Sequence, residues 1–164
     1  MIYSTRLKDG NGTKPWVNRD CLKRQPDGSR TLKWYCQRQM PLKDGEYRKP
    51  TITVRLNPKG SEIMWNAGNG SPRPNWLCVV EALSYFLEKL EEEAVSADIA
   101  TDVQVHQEKR AISAIHQGKR YYLGRRGKYL VGWEGDEASR RTMYRVPLPV
   151  LRAVIDDLER VLQD

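Results

Sequence analysis

Cations alternate with aromatic residues in two parts of the chain, and this mixture is the most distinctive chemistry of the sequence. Single-stranded nucleic acid needs positive charge beside its phosphates and exposed rings on which bases stack, each stack being worth about 1 to 3 kcal/mol. Both requirements are met around Lys33-Trp34-Tyr35 and around Lys119-Arg120-Tyr121-Tyr122. The candidate contacts for nucleic acid are Lys33, Tyr35, Arg38, Arg48, Lys49, Arg55, Arg120, Tyr122, Arg125, Arg126, Lys128, Arg140, Arg141 and Arg145.

The segment Gly124-Arg125-Arg126-Gly127-Lys128 concentrates three of these cations. Glycines at both ends would let the chain reverse with positive φ angles, which predicts a tight turn between two strands. Both arginines and Lys128 would then project from a hairpin tip, where a phosphate backbone could reach them.

Residues suited to catalysis or metal binding are sparse. His106 and His116 are the only histidines, and neither has a cysteine or carboxylate at the spacing of a metal site. No GxSxG motif or phosphate-binding loop is present. The cysteines Cys21, Cys36 and Cys78 are widely spaced and odd in number, which favours three reduced thiols. We expect no enzyme activity, no metal and no cofactor.

The charges are segregated along the chain. Residues 1–75 contain 15 basic and 6 acidic side chains, and residues 76–108 contain 1 basic and 8 acidic ones. The alternation repeats, with 10 basic and 3 acidic residues in 109–146 and 2 basic and 4 acidic in 147–164. A solvated surface does not require such segregation, whereas a polyanion is attracted to the field that it creates.

With 164 residues, the chain can form one compact domain or two small ones. It has no apolar run long enough to cross a bilayer, and its first residues, Met1-Ile2-Tyr3-Ser4-Thr5-Arg6, lack the apolar run of a secretory signal. We therefore expect a cytoplasmic protein without a membrane partner.

Turn-forming dipeptides such as Asp27-Gly28 and Asp44-Gly45 divide the first basic segment into short strands. The predicted strands are 2–7, 16–23, 31–39 and 47–56. Residues 59–73 are read as a long connection, and Asn75 as the N-cap of an amphipathic helix over 76–95. Within the third strand, alternation places Trp34 inward and Tyr35 outward.

The second half repeats this order. Strands are predicted over 98–107, 111–117, 120–123, 128–133 and 140–146, followed by a helix over 149–162 with Pro149 in its first turn. The sequence thus predicts an α+β fold of two tandem units, residues 1–96 and 97–164. Each unit is an antiparallel β-meander followed by a C-terminal helix.

Large aromatic residues are divided between core and surface. Trp65, Trp76 and Trp133 are expected in the core, while Trp16, Tyr35, Tyr122 and Tyr144 could either pack or stack on bases.

Residues 116–162 resemble the single-stranded-DNA-binding domain of positive cofactor four, a transcriptional coactivator, and more loosely the Whirly family. The resemblance lies in Gly118-Lys119-Arg120-Tyr121-Tyr122, the basic turn, an acidic second turn, a short strand running into proline and an acidic terminal helix. The first half is similar over Asp44-Gly45-Glu46, Thr51 to Val54 and Leu56-Asn57-Pro58. The family's serine- and lysine-rich tail is absent.

The resemblance implies a curved antiparallel sheet that binds the strand and helices that form a dimer contact. Two such units would make a pseudo-dimer within one chain. Association of two chains into a homodimer is the alternative. We expect a protein that binds single-stranded nucleic acid, DNA before RNA, with low sequence specificity, in transcription, replication or recombination. Two alternatives remain: a protein-interaction module that inhibits or recruits a larger nucleic-acid enzyme such as RNA polymerase, and a binder of duplex RNA.

Overall fold

The strands and helices of the chain form an α+β fold. A computed structural model describes residues 22–35, 40–41, 47–48, 51–67, 74–90, 98–135 and 143–163. The strands are β1 Lys23–Arg24, β2 Arg30–Tyr35, β3 Met40–Pro41, β4 Tyr47–Arg48, β5 Thr51–Leu56, β6 Glu62–Ala67, β7 Thr101–His106, β8 Ala111–His116, β9 Lys119–Arg126, β10 Tyr129–Glu134 and β11 Arg145–Pro147. The helices are α1 Trp76–Leu90 and α2 Leu148–Leu162, and a 3₁₀ turn spans Gln107–Lys109.

Two antiparallel sheets contain most of the strands. The first has five strands in the order β1-β2-β5-β6-β11, and the second has four in the order β10-β9-β8-β7. Strands β3 and β4 form a separate antiparallel pair. The predicted α+β class with antiparallel sheets and two helices is therefore confirmed.

Alternating side chains give the first sheet one buried face. Ile52, Val54 and Leu56 of β5 are fully buried, while the residues between them are half-buried. Opposite them on β2, Leu32 and Trp34 are buried as well. The inward position predicted for Trp34 is confirmed.

Helix α1 begins where its sequence predicts. The Asn75 side-chain oxygen accepts the backbone N–H of Cys78 at 3.0 Å, which satisfies one of the unpaired donors of the first turn. The helix is buried on nearly all sides, however, and even Glu81 is fully buried, which differs from the single buried face of an amphipathic helix. Residues 91–95 of the predicted helix lie outside the described residues.

Both helices lie between the two sheets. Helix α1 contacts β5 of the first sheet and β10 of the second, and α2 packs on β7, β8, β9 and β11. Inward side chains of both sheets and of both helices belong to one hydrophobic core. Each sheet therefore turns its other face away from the core.

Strand β11 links the two predicted units. It lies in the second half of the sequence but pairs antiparallel with β6 of the first half, with Val146 opposite Ile63. Just before it, Met143 and Gly132 of β10 exchange backbone hydrogen bonds of 2.7 and 2.8 Å. The last strand of the second half thus completes the first sheet and borders the second.

Four predicted boundaries are wrong. Residues 59–73 are not one long connection, since β6 occupies 62–67. Residues 47–56 do not form one strand, because β4 and β5 belong to different sheets. Of the strand predicted over 140–146, residues 140–142 lie outside the described residues and β11 begins at Arg145; α2 starts at Leu148, one residue before Pro149. The predicted strand over 2–7, and residues 16–21 of the strand predicted over 16–23, lie outside the described residues.

Candidate nucleic-acid interface

The outward face of the five-stranded sheet carries a row of cations. In the pairing register, one residue from each strand lies side by side across the sheet: Lys23, Thr31, Arg55, Met64 and Arg145. Lys23 and Arg145 are exposed and Arg55 is half-buried. Because neighbouring strands lie about 4.8 Å apart, cations on alternate strands are spaced by about 10 Å.

A second row runs parallel to the first. Lys33 of β2 lies beside Thr53 of β5, which lies beside Asn66 of β6. Lys33 and Asn66 are exposed. We call the surface made by both rows the sheet face; it combines four cations, Lys23, Lys33, Arg55 and Arg145, with hydroxyl and amide groups that can bond to a phosphate or a base.

Two acidic residues lie beside this face. Asp27 accepts a hydrogen bond from the Arg55 guanidinium at 3.1 Å, and Glu62 lies 4.0 Å from Arg145. Hydrogen bonds from the Ser29 hydroxyl and backbone, and then the charge of Arg55, hold the pKa of Asp27 below its usual value. Asp27 thus stays ionised and offsets part of the positive charge of Arg55.

Tyr35 is the last residue of β2. Its backbone lies opposite Thr51, one row beyond Lys33, and the outward position predicted for its side chain stays a prediction. Its side chain lies outside the described residues, as do the side chain of Arg48 and the whole of Arg38, Lys49, Arg140 and Arg141.

The turn predicted at Gly124 to Gly127 is wrong. Strand β9 continues through Arg126. Of the two glycines in the predicted turn, Gly127 has a positive φ, of 61°, and Gly124 does not. Gly124 is buried within the strand, where a Cβ atom would lie 2.9 Å from the Trp133 ring. The glycine therefore makes room for a tryptophan, and the chain reverses at Gly127 and Lys128.

Arg125 consequently points into the protein and does not project from a hairpin tip. Its guanidinium lies 5.1 Å from the centre of the Trp76 ring and donates a hydrogen bond of 2.7 Å to the carbonyl of Leu162. It thereby joins the start of α1 to the end of α2, where the helix dipole favours a positive charge. These contacts give Arg125 a structural role that competes with binding a phosphate.

Arg126 and Lys128 are exposed at the tip of the β9–β10 hairpin. The β7–β8 turn lies beside it, since the backbone N–H of Arg125 donates to the carbonyl of Arg110 at 3.2 Å. Lys109 and Arg110 are exposed at this turn, and sequence reasoning missed both. The signal that could have found them is the consecutive pair Lys109-Arg110 just before a strand.

The outward face of the second sheet is packed differently. The ring of Tyr122 stacks on the ring of Trp133, with 5.3 Å between the ring centres and an interplanar angle of 6°. The centre of the His106 ring lies 5.2 Å from the centre of the Tyr122 ring, and the two planes are tilted. Arg120 pairs with Asp102 and donates to the Ser113 hydroxyl at 2.7 Å. Tyr122 and Arg120 are therefore engaged within the protein, which favours packing over base stacking for Tyr122.

The predictions for burial of the other aromatic residues are confirmed in part. Trp65 and Trp133 are buried as expected, but Trp76 is only half-buried. Tyr144 is exposed over 37% of its surface and adjoins Arg145 of the sheet face. Cys78 is a buried free thiol, as predicted, and Cys21, Cys36 and Trp16 lie outside the described residues.

In the described parts of the chain, no cluster of three or more His, Cys, Asp or Glu side chains could hold a metal ion. Neither described helix has the length and apolar composition that spanning a bilayer would require. Comparison with known proteins finds no matching family model, no similar curated protein and no matching solved structure.

Proposed function

We propose that the chain binds single-stranded nucleic acid, DNA before RNA, on the sheet face. The observation that carries this proposal is the set of four cations, Lys23, Lys33, Arg55 and Arg145, that four of the five strands contribute to one face of a sheet whose opposite face is the core. Phosphates lying along the row would release counterions, which supplies affinity without regard to sequence. The interface therefore accounts for low sequence specificity without any catalytic group.

The placement of the helices favours a single strand over a duplex. A helix that reads a duplex directly protrudes from the protein and enters the major groove. Both α1 and α2 lie between the sheets, so neither can enter a groove as a whole. A sheet surface with hydroxyl and amide groups suits a splayed strand, whose bases and phosphates are both accessible.

The resemblance to the positive cofactor four and Whirly families supports the same function. Under this proposal the chain is a tandem, pseudo-dimeric version of that domain, and transcription, replication or recombination in the cytoplasm is its setting. The pairing of β11 from the second half of the sequence with β6 of the first half is compatible with a fused pair. RNA polymerase or another enzyme that works on nucleic acid would be its protein partner.

The test is the salt dependence of binding in a variant that removes three sheet-face cations, Lys23→Gln, Lys33→Gln and Arg145→Gln. A single strand loses about 0.7 units of logarithmic salt slope for each phosphate contact that is removed. The variant should therefore have a slope shallower by about 2, with weaker affinity for every sequence. Fluorescence anisotropy with a labelled single strand at several salt concentrations measures both quantities.

The matched control removes three cations elsewhere, Lys119→Gln, Arg152→Gln and Arg160→Gln. Both variants lower the formal net charge of +7 by the same amount, so an effect of overall charge alone would be equal in the two. An equal change in slope would refute the sheet face as the binding surface. Melting curves of both variants verify that they are folded.

A second candidate function, a protein-interaction module, is favoured by one observation. β7 is the last strand of the second sheet among the described residues, and Val103 and Val105 are each 42% exposed along it. Ile99, just before the strand, is 76% exposed. An open strand edge with apolar side chains can accept a strand from a partner. A protein of this kind would not shift bare oligonucleotides in a gel at any salt concentration.

A further inference from the structure

An aromatic pocket opens beside the sheet face, at the border between the two sheets. Its volume is about 280 Å³, and its walls include Trp65 of β6, Tyr129 and Leu130 of β10, and Tyr144 before β11. Asn66, the last member of the Lys33 row on the sheet face, also lines it. The pocket therefore borders the proposed binding surface at Asn66, while Ile52 of β5 and Val79 of α1 line it from the core side.

Backbone and side-chain hydrogen bonds hold these walls together. The indole N–H of Trp65 donates to the carbonyl of Leu130 at 3.3 Å, and its backbone N–H donates to the carbonyl of Tyr144 at 3.0 Å. One residue thus ties together β6, β10 and the segment before β11, three of the segments that line the pocket. A pocket fixed in this way needs little rearrangement to accept a ligand, so less free energy is lost to ordering on binding.

The chemistry of the lining suits a planar ring with polar edges. Three aromatic side chains offer surfaces for stacking or edge contact, and the Asn66 amide has both a hydrogen-bond donor and an acceptor. The volume is just below the roughly 300 to 1,000 Å³ of pockets for drug-sized ligands, which suits one base better than two.

The charges around the pocket identify the ligand as part of an anionic chain. Tyr144 precedes Arg145 of the sheet face, and Tyr129 follows Lys128 and lies opposite Arg126 in the β9–β10 hairpin. Cations are thus chain or strand neighbours of two residues that line a mainly apolar pocket. An apolar side chain of a protein partner would fit the walls but would gain nothing from these cations.

We propose that this pocket takes a single base of the bound strand, turned out of the strand's own stack. The neighbouring phosphates then lie against Arg145 on one side and against Arg126 and Lys128 on the other. This inference rests on the proposed single-strand binding, and it adds that one base is held in a defined site while the rest of the strand lies on the sheet face.

The test compares two strands of about 12 nucleotides, one of thymidines and one with the same sugar–phosphate chain but no bases. The wild-type protein should prefer the strand with bases. Two variants remove the base site in opposite ways: Tyr144→Ala takes away a wall, and Val79→Phe fills the pocket from α1, since Val79 also lines it. Tyr144→Phe keeps the ring and is the matched control.

Tyr144→Ala and Val79→Phe should each reduce the preference for bases by about 5- to 150-fold, the range expected for one lost stack. The salt slope should stay at the wild-type value, because stacking releases no counterions. Tyr144→Phe should keep the preference. Using two variants guards against misfolding, because filling a pocket need not lower stability as removing a wall can.

A wild-type preference that persists in a folded Val79→Phe or Tyr144→Ala protein overturns the inference. Equal, salt-dependent binding of both strands by the wild-type protein overturns it too, but leaves the proposed function standing. Absence of binding to either strand refutes the proposed function and this inference together.

Discussion

Replacing Arg125 with alanine should destabilise the protein, although the sequence groups this arginine with surface cations. Its guanidinium covers the Trp76 ring at the start of α1 and bonds to the last carbonyl of α2. It also donates to the carbonyl of Gly127 at 3.2 Å, within the hairpin turn. The substitution would therefore loosen three elements at once.

The size of the effect follows from these contacts. A hydrogen bond from a charged donor contributes about 1.5 to 3 kcal/mol, and a partly exposed cation–π contact contributes about 0.5 to 1 kcal/mol. We expect Arg125→Ala to lower the free energy of unfolding by about 2 to 4 kcal/mol. For a chain of this length, each kcal/mol lowers the melting temperature by about 2 to 4 °C.

Thermal melting followed by circular dichroism measures this effect, with Arg126→Ala as the matched control. Arg126 lies next along the same strand, but its side chain is exposed with its guanidinium 5.9 Å from the centre of the Trp133 ring. Arg126→Ala should therefore lower the free energy of unfolding much less than Arg125→Ala does. If Arg125→Ala melts like the wild-type protein, or like Arg126→Ala, the structural role assigned to Arg125 is wrong.

Two further predictions concern single residues. Asp27→Asn should tighten single-strand binding by about two- to fivefold, since it removes the exposed ion pair that offsets Arg55 while leaving an acceptor for Ser29; unchanged or weaker binding in anisotropy titrations would contradict this. Gly124→Ala should lower the free energy of unfolding by about 1 to 3 kcal/mol, because the added methyl group overlaps the Trp133 ring; a wild-type denaturation midpoint would show that the strand can shift to accept it.

Local patterns in the sequence were sufficient to predict much of the fold. The alternation of Ile52, Val54 and Leu56 identifies a half-buried strand, and Asn75 marks the start of α1 through a contact three residues away. Both signals depend on neighbours in the chain, so no knowledge of the tertiary structure is needed to read them.

Long-range pairing could not be read in the same way. No pattern within Arg145 to Pro147 indicates that this strand pairs with β6, which lies more than 75 residues earlier in the chain. Strand β6 is not predicted, because Met64 between the buried Ile63 and Trp65 breaks the alternation of polar and apolar residues, and because the segment that follows is rich in glycine.

The candidate site could be predicted only in part, because the strand pairing that assembles it is also long-range. Composition identified Lys33, Arg55 and Arg145 as possible contacts, but only strand pairing shows that they share one face. A turn at Gly124 would place Arg125 on the surface, which is why the sequence groups it with the exposed cations. If the strand is continued through Arg126, alternation puts Arg125 on the inward side with Leu123.

The central claim is tested most directly by titrating the wild-type protein with single-stranded DNA, single-stranded RNA and duplex DNA of equal length at several salt concentrations. With the four sheet-face cations each contacting one phosphate, single-strand affinity should fall with a logarithmic salt slope of about −3. Single-stranded DNA should bind more tightly than RNA and more tightly than the duplex. Tighter binding of the duplex, or no salt-dependent binding of any strand, would contradict the account.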